Sequence, residues 1–292
     1  MTPGHEAAGV VALAGPGTRT PVGTPGVIYL MDFCGACRSC RLGFTNQCLD
    51  KRGDMGLNRD GGYGAYELVH ETAFFPVDRD LDLAEATLLL DVMGTGGHAV
   101  RRARLVHPDV QSLLVTGAGP MGLGVLAMAR LLLGAEVPVV VTDVSAYRLE
   151  LAERLGGRPV DVGRTSLEDG LRRHGLASVD LAIETSGKGV VRQACLGVLA
   201  KRGVLVCVGH REGLTLDVSP DLIATERAVL GSEYFCYREL PDNLPLLRAQ
   251  RAYLTQIITH RLPIQEIEQA FTIFLGGASG KVVVEQPGGP AA

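Results

Sequence analysis

No apolar run in this chain approaches the 18 or so residues that a membrane span requires. Its first residues also lack the charged segment and apolar core of a secretory leader. A cytoplasmic location is therefore the expectation. A basic patch is missing too. The formal net charge is −4, the isoelectric point is near 6.0, and the basic residues are scattered, so neither nucleic acid nor an anionic membrane is an expected partner. The local run Arg101 to His107 reads as the solvated side of a helix. No internal repeat is visible, which excludes a stacked array.

What is present is a globular chain of 292 residues, 46% hydrophobic, long for one domain and comfortable for two. Up to about Asp91 it is rich in Gly and Pro and broken into short β-like runs, GVVAL, GVIYLM and AYELV. From Gly94 onward, apolar strands alternate with helical stretches. SLLVTGAG reads as a strand, PMGLGVLAMARLLLG as a helix closed by Gly134, and VPVVVTD as the next strand; Ser145 and Gly156 bracket the helix after it as cap and stop. VDLAIETSG, a helix from about Val190 to Leu199, GVLVCVG, a helix near Pro220 to Glu226, and AVLGSEYF continue the pattern. Such alternation implies an α/β fold with a parallel, doubly wound sheet. An amphipathic helix, PIQEIEQAFTIFL, and a strand, GKVVVEQ, follow, and the tail PGGPAA is expected to be disordered.

Seven cysteines are an odd count, and four of them crowd into fifteen residues, which favours a metal site in a reducing compartment over a disulfide framework. Cys34, Cys37, Cys40 and Cys48 stand in C-x2-C-x2-C-x7-C spacing. Two-residue gaps let successive thiolates converge on one ion, and four sulfurs close its coordination sphere, the mark of structural rather than catalytic zinc. An iron–sulfur cluster is the competing metal, since C-x2-C-x2-C opens that pattern as well, although the Cys-Pro that ends the bacterial ferredoxin run is absent. Arg38, Arg41, Lys51 and Arg52 read as the solvated rim of this loop. Cys195, Cys207 and Cys236 stand singly in apolar contexts and read as buried small hydrophobes.

Gly117, Gly119 and Gly122 form G-x-G-x-x-G directly after a strand and at the start of a helix. In that context the first Gly permits a tight turn, the second lets backbone approach a pyrophosphate, and the third permits close helix packing. The next strand ends at Asp143, 21 residues after Gly122, where a carboxylate would accept hydrogen bonds from the adenosine ribose and repel a 2′-phosphate. NAD is thus favoured over NADP, although Arg148 stands close enough to reach a phosphate.

Taken in order, GHEAAGVV, the four-cysteine lobe, GGYGAYELV, LLDVMGTGGHAVRRA, VTGAGPMGLG, VVVTDVSAYRLELAERLG, IETSG, GVLVCVG and GKVVVE cover nearly the whole chain. Together they resemble the zinc-containing medium-chain alcohol dehydrogenases, the group that includes sorbitol, threonine and bacterial secondary-alcohol dehydrogenases. The resemblance implies a GroES-like β-barrel catalytic domain over 1–92 with a structural zinc lobe at 34–48. It also implies a Rossmann NAD-binding domain over 93–235 and a segment, 236–292, that returns to the catalytic domain. It makes His5 a ligand of a catalytic zinc, puts Glu6 beside the metal, and matches Asp91 to the third ligand. Thr95 would pack near the nicotinamide, and Pro120, Met121, Arg148 and Val208 would join the three glycines and Asp143 around the cofactor.

Two departures stand out. The family's first catalytic ligand, a Cys about two dozen residues before this His, has no place in the sequence, and GTPGVIYLM replaces a usual Gly-Asp-Arg-Val stretch. The expectation is an incomplete barrel lacking roughly fifty or more N-terminal residues. Either the start is assigned too far downstream, or the chain is truly short and holds its catalytic zinc with two protein ligands. The expected activity is zinc-dependent hydride transfer between an alcohol (secondary, polyol or sugar-like) and NAD in a homodimer or homotetramer. The alternative is a nucleotide-binding but catalytically impaired relative. Zinc-independent quinone reductases of the same superfamily do without both the cysteine lobe and Gly-His-Glu.

Overall fold

The computed structural model describes residues 1–286; the tail expected to be disordered lies outside them. Tertiary contacts divide the chain into two units. The first comprises Met1–Gly94, Phe235–Thr272 and the residues from Val282; the second comprises Thr95–Tyr234 and Ile273–Lys281.

In the first unit, β1 (Ala7–Val10), β2 (Pro25–Ile28) and β5 (Phe74–Pro76) form an antiparallel sheet in the order β1-β2-β5, with Ala8 opposite Val27 and Val27 opposite Phe75. Two short pairs accompany it, β3 (Met31–Asp32) with β4 (Gly53–Asp54), and β12 (Ile258–Pro263) with β13 (Lys281–Glu285). Its core is built around Tyr29, which has no exposed surface and meets Phe33, Phe235 and Tyr237 edge-on with ring centroids 5.1–5.8 Å apart. Edge-to-face contact suits the ring quadrupoles, and the buried phenol donates to the Phe235 carbonyl at 2.5 Å, so its one polar atom is satisfied.

The run AYELV does not form the expected strand. Its alternation is real, since Tyr66 and Leu68 are 82% and 93% exposed while the Glu67 carboxylate is turned inward. A strand also needs a ladder partner, and none lies alongside it among the described residues. Both Glu67 carboxylate oxygens are buried without a hydrogen bond, and burial pushes the acid up from 4.5 to about 7. The folded chain thus keeps a proton that the unfolded chain gives up near pH 4.5, so stability falls as pH rises from about 4.5 to about 7 and stays low above. Glu67→Gln is expected to raise the thermal midpoint at pH 8 by about 2–4 °C and to change it little at pH 4. Equal midpoints at pH 8 would show the carboxylate to be solvated.

The second unit holds a six-stranded parallel sheet. Its strands are β6 (Leu113–Thr116), β7 (Val139–Asp143), β8 (Arg158–Asp161), β9 (Val179–Glu184), β10 (Leu199–Cys207) and β11 (Ala228–Gly231), in the order β11-β10-β9-β6-β7-β8. The central strands are apolar runs rather than alternations because helices cover both faces; Leu113, Leu114 and Val115 all have zero exposure. Helix Pro120–Leu133 begins on Gly119 with Pro at its first position and ends where Gly134 turns to φ +97°. Helix Ala146–Arg154 is capped by Ser145, whose Oγ accepts the Arg148 N–H, and stops before Gly156 at φ +83°. Strand order reverses between β6 and β9, the place where such sheets open a crevice at their carboxyl ends.

The division differs from the sequence expectation near the C-terminus, where 236–292 was assigned as a whole to the first unit. Ile273–Lys281 goes with the parallel sheet because Ser145 Oγ donates to the Gly277 carbonyl at 2.9 Å and Arg148 Nε to the Ser279 carbonyl at 3.3 Å. Helix Leu240–Ala249 is an element the sequence pattern hid, since Pro245 sits inside it.

Candidate functional site

The backbone leading into His5 is held by hydrogen bonds from a later segment. The Gly61, Gly62 and Tyr63 N–H groups donate to the carbonyls of Thr2, Gly4 and Pro3 at 2.8, 2.9 and 3.1 Å, so the segment after the cysteine lobe clasps the residues before His5. Asp91 arrives from 86 residues away, at the start of a single wide helical turn, Asp91–Thr95, of the kind that recurs at functional sites. His5 Nε2 lies 3.1 Å from Asp91 Oδ2, and the Asp91 N–H donates to Glu6 Oε1 at 3.3 Å. One ligand atom from each of His5, Glu6 and Asp91 falls within 4.8 Å of the others. An imidazole and two carboxylates so converged match the nitrogen and oxygen donors that a divalent zinc accepts.

Tyr63, which the sequence reading passed over, packs its ring beside Gly4 and edge-on to Phe271, with centroids 5.9 Å apart. Burial, and then the Glu6 charge, push its phenol up from 10.0. The signal was present in GGYGAYELV, but only the fold shows that its first aromatic, and not its second, faces the His5 cluster.

The cysteine lobe is a second convergence. Sγ atoms of Cys34 and Cys40, and of Cys37 and Cys48, are 4.0 Å apart, and all four lie within 4.8 Å. A tetrahedron with zinc–sulfur bonds of about 2.3 Å has edges of about 3.8 Å, so the four sulfurs fit one zinc. Backbone N–H groups are aimed at them: Cys34 Sγ accepts from Ala36 and Cys37, Cys37 Sγ from Cys40 and Leu49, and Cys48 Sγ from Cys34. The Cys40 and Leu49 amides pull the Cys37 thiol down from 9.0 to about 6, whereas burial and then the neighbouring thiols push Cys40 up to about 12. All four sulfurs can be anionic together only around a cation. The lobe is tied to the rest of its unit by Arg52, which donates to Asp32 Oδ1 at 2.6 Å and to the Phe33 carbonyl at 2.9 Å. Arg238, over the Phe44 ring, adds a second tie.

Cys195 and Cys236 have no exposed surface, and burial pushes the Cys195 thiol up to about 12; Cys207 is half-buried.

In the second unit, Gly117 turns at φ +91° directly after β6, and a Cβ on Gly122 would lie 1.7 Å from the Gly117 carbonyl oxygen. No larger residue fits at Gly122, so the third glycine serves the turn itself as much as helix packing. Gly119, Pro120 and Met121 are half-buried at the start of the helix. Asp143, at the end of β7, is held by three backbone amides: Oδ2 accepts from Ala118 at 2.7 Å, and Oδ1 from Val144 and Ser145 at 2.8 and 2.9 Å. Arg148 brings its guanidinium to the Gly119 side of the same turn. Val208 follows β10, its N–H bonded to the Glu184 carbonyl at 2.9 Å, and Thr95 is buried before helix Gly96–Arg104.

A doubly wound parallel sheet with a glycine-rich first turn, joined to a unit carrying two convergent ligand sets, defines a metal-containing dehydrogenase class. The comparisons make the assignment specific. Residues 120–249 match the family described as zinc-binding dehydrogenase, and residues 1–79 match the alcohol dehydrogenase GroES-like domain. L-threonine 3-dehydrogenase of Idiomarina loihiensis is 33% identical, with the alignment covering 97% of this chain and 82% of that protein. An alcohol dehydrogenase of Thermus sp. ATN1 shares the fold with a TM-score of 0.87 at 22% identity, over 97% of this chain and 84% of the other. An E. coli CFT073 protein, described as a short chain alcohol dehydrogenase and complexed with NADH, superposes with a TM-score of 0.85 at 20% identity, over 96% and 82% of the two chains. The chain belongs to the zinc-containing medium-chain alcohol dehydrogenase family and is an alcohol oxidoreductase. Among the described residues no helix is long and apolar enough to cross a membrane.

Proposed function

We propose that the chain oxidises a secondary alcohol to a ketone with NAD, reversibly, and that His5, Glu6 and Asp91 hold the catalytic zinc while Cys34, Cys37, Cys40 and Cys48 hold a structural one. The observation that carries this reading is the convergence of His5, Glu6 and Asp91 within 4.8 Å from positions 85 residues apart. When bound, zinc supplies Lewis acidity toward the substrate oxygen, and NAD is the two-electron acceptor.

The chain's own residues do the rest. Asp91, 3.1 Å from His5 Nε2, keeps the imidazole and its own carboxylate facing one point. Tyr63, packed beside Gly4 and within reach of the Glu6 charge, sets an aromatic ring at the edge of the cluster that suits the carbon side of an alcohol. In the other unit, the amides at the start of helix Pro120–Leu133 would face the pyrophosphate, and the Asp143 carboxylate, held in place by three amides, would accept from the ribose hydroxyls.

Secondary alcohols come first as substrates because the 33%-identical relative is a threonine 3-dehydrogenase, and the carbon it oxidises carries a secondary hydroxyl. The experiment is NADH formation by the purified chain with L-threonine, sorbitol, 2,3-butanediol and 2-propanol, beside NADH binding followed by fluorescence. Turnover of one or more supports the reading. Tight NADH binding with no turnover of any points instead to the catalytically impaired alternative.

Gly122→Ala is expected to weaken NADH binding by at least about tenfold, since its Cβ would collide with the Gly117 oxygen and open the turn. Unchanged binding would remove this turn from the cofactor site.

A further inference from the structure

One buried charge in the second unit has no part in the functions described so far. Arg192, on helix Gly189–Gly197, is 9% exposed, and its partner Glu184, the last residue of β9, is fully buried. Arg192 Nε donates to Glu184 Oε2 at 3.1 Å, and its two terminal nitrogens donate to the carbonyls of Gly209 and Glu212. Glu184 Oε1 meanwhile accepts the N–H groups of Ser186 and Gly187 at 2.5 and 2.8 Å. One ion pair therefore holds two loops at once, the turn after β9 and the loop after β10.

Backbone bonds join the same two loops. Gly209 N–H donates to the Glu184 carbonyl at 3.0 Å, and Glu212 N–H to the Gly187 carbonyl at 3.0 Å. Within this loop Arg211 is held at φ +136°, a conformation that L side chains rarely adopt and that persists only where surrounding contacts impose it. Burying a guanidinium and a carboxylate costs more than a hydrophobic pair would, so a stability role alone is a poor account of the pair.

The position supplies a better one. β6, β7 and β8 form the half of the sheet that carries the glycine turn and Asp143, the pyrophosphate and adenosine features; β9, β10 and β11 form the other half. In a doubly wound sheet of this order the two halves each take one mononucleotide. We propose that Arg192 is the positioning residue for the nicotinamide half of the dinucleotide. Its guanidinium braces the loop after β10 against the turn after β9 and so fixes the backbone from Val208 to Glu212 on which that half rests. This rests on the dinucleotide reading above.

The test compares NADH with ADP-ribose, which lacks the nicotinamide, by calorimetry on the full chain and on Arg192→Lys, Arg192→Met and the double variant Arg192→Met with Glu184→Gln. The double variant leaves no unpaired buried carboxylate. ADP-ribose binding reports that each variant is folded. The expected result is an NADH Kd raised about tenfold in Arg192→Met and in the double variant, an ADP-ribose Kd within about twofold of wild type, and partial rescue by Arg192→Lys. An NADH Kd unchanged in both Met variants, or equal losses for the two ligands, overturns the inference while leaving the cofactor reading intact. A wild-type chain that binds neither ligand overturns both.

Discussion

His5→Ala is expected to lower kcat/KM by roughly a thousandfold, the scale of losing several kcal/mol of Lewis-acid stabilisation, while the NADH Kd stays within about twofold. The two effects separate because His5 sits in one unit and the glycine turn in the other. Bound metal should fall by about one equivalent per chain, since His5 is the only nitrogen donor in its cluster. Asp91→Asn keeps an acceptor near His5 Nε2 but removes the charge, and a loss of about 10–100-fold is expected. Steady-state kinetics with elemental analysis of each variant checks both. Full activity in His5→Ala would end the assignment of His5 as a ligand.

Cys40→Ser is expected to remove one equivalent of zinc and to unfold the lobe around it. The helix Arg38–Arg41 buries none of its residues, so no apolar core replaces the metal once it is gone. A structural zinc of this type contributes on the order of 10 kcal/mol to the fold it closes, far more than the Arg52–Asp32 ion pair at the lobe's edge. Limited proteolysis should cut within 34–48 in the variant and spare it in the wild type. Acid should act in the same direction. The ion needs its sulfur ligands deprotonated, and protons compete with it for them as pH falls, so zinc and protease resistance are lost together in acid. Wild-type zinc content and protease resistance retained by Cys40→Ser would refute a four-sulfur site.

Much of this was legible in linear sequence because the relevant chemistry is local. The cysteine spacing puts four sulfurs within reach of one ion, and G-x-G-x-x-G between a strand and a helix makes one kind of turn; the structure has both convergences as geometry. Ser145 as a cap and Gly134 and Gly156 as stops are likewise single-residue physics. AYELV misled because alternation announces two faces and is silent about whether a neighbouring strand exists to pair with. Helix Leu240–Ala249 was hidden by Pro245, whose cost the buried Leu240, Asn243 and Leu247 outweigh.

By itself, then, the sequence determined the fold class, the cysteine lobe and the glycine turn after β6, each of which depends on residues a few positions apart. Only the tertiary structure decided the rest. It brought Asp91 to His5 Nε2, set Tyr63 rather than Tyr66 against Phe271, and paired Arg192 with Glu184 across two loops. These are contacts between segments far apart in the chain or on different elements, and no periodicity records them. They exist because backbone hydrogen bonds and buried apolar surface fix where each segment lies before any of these side chains can meet.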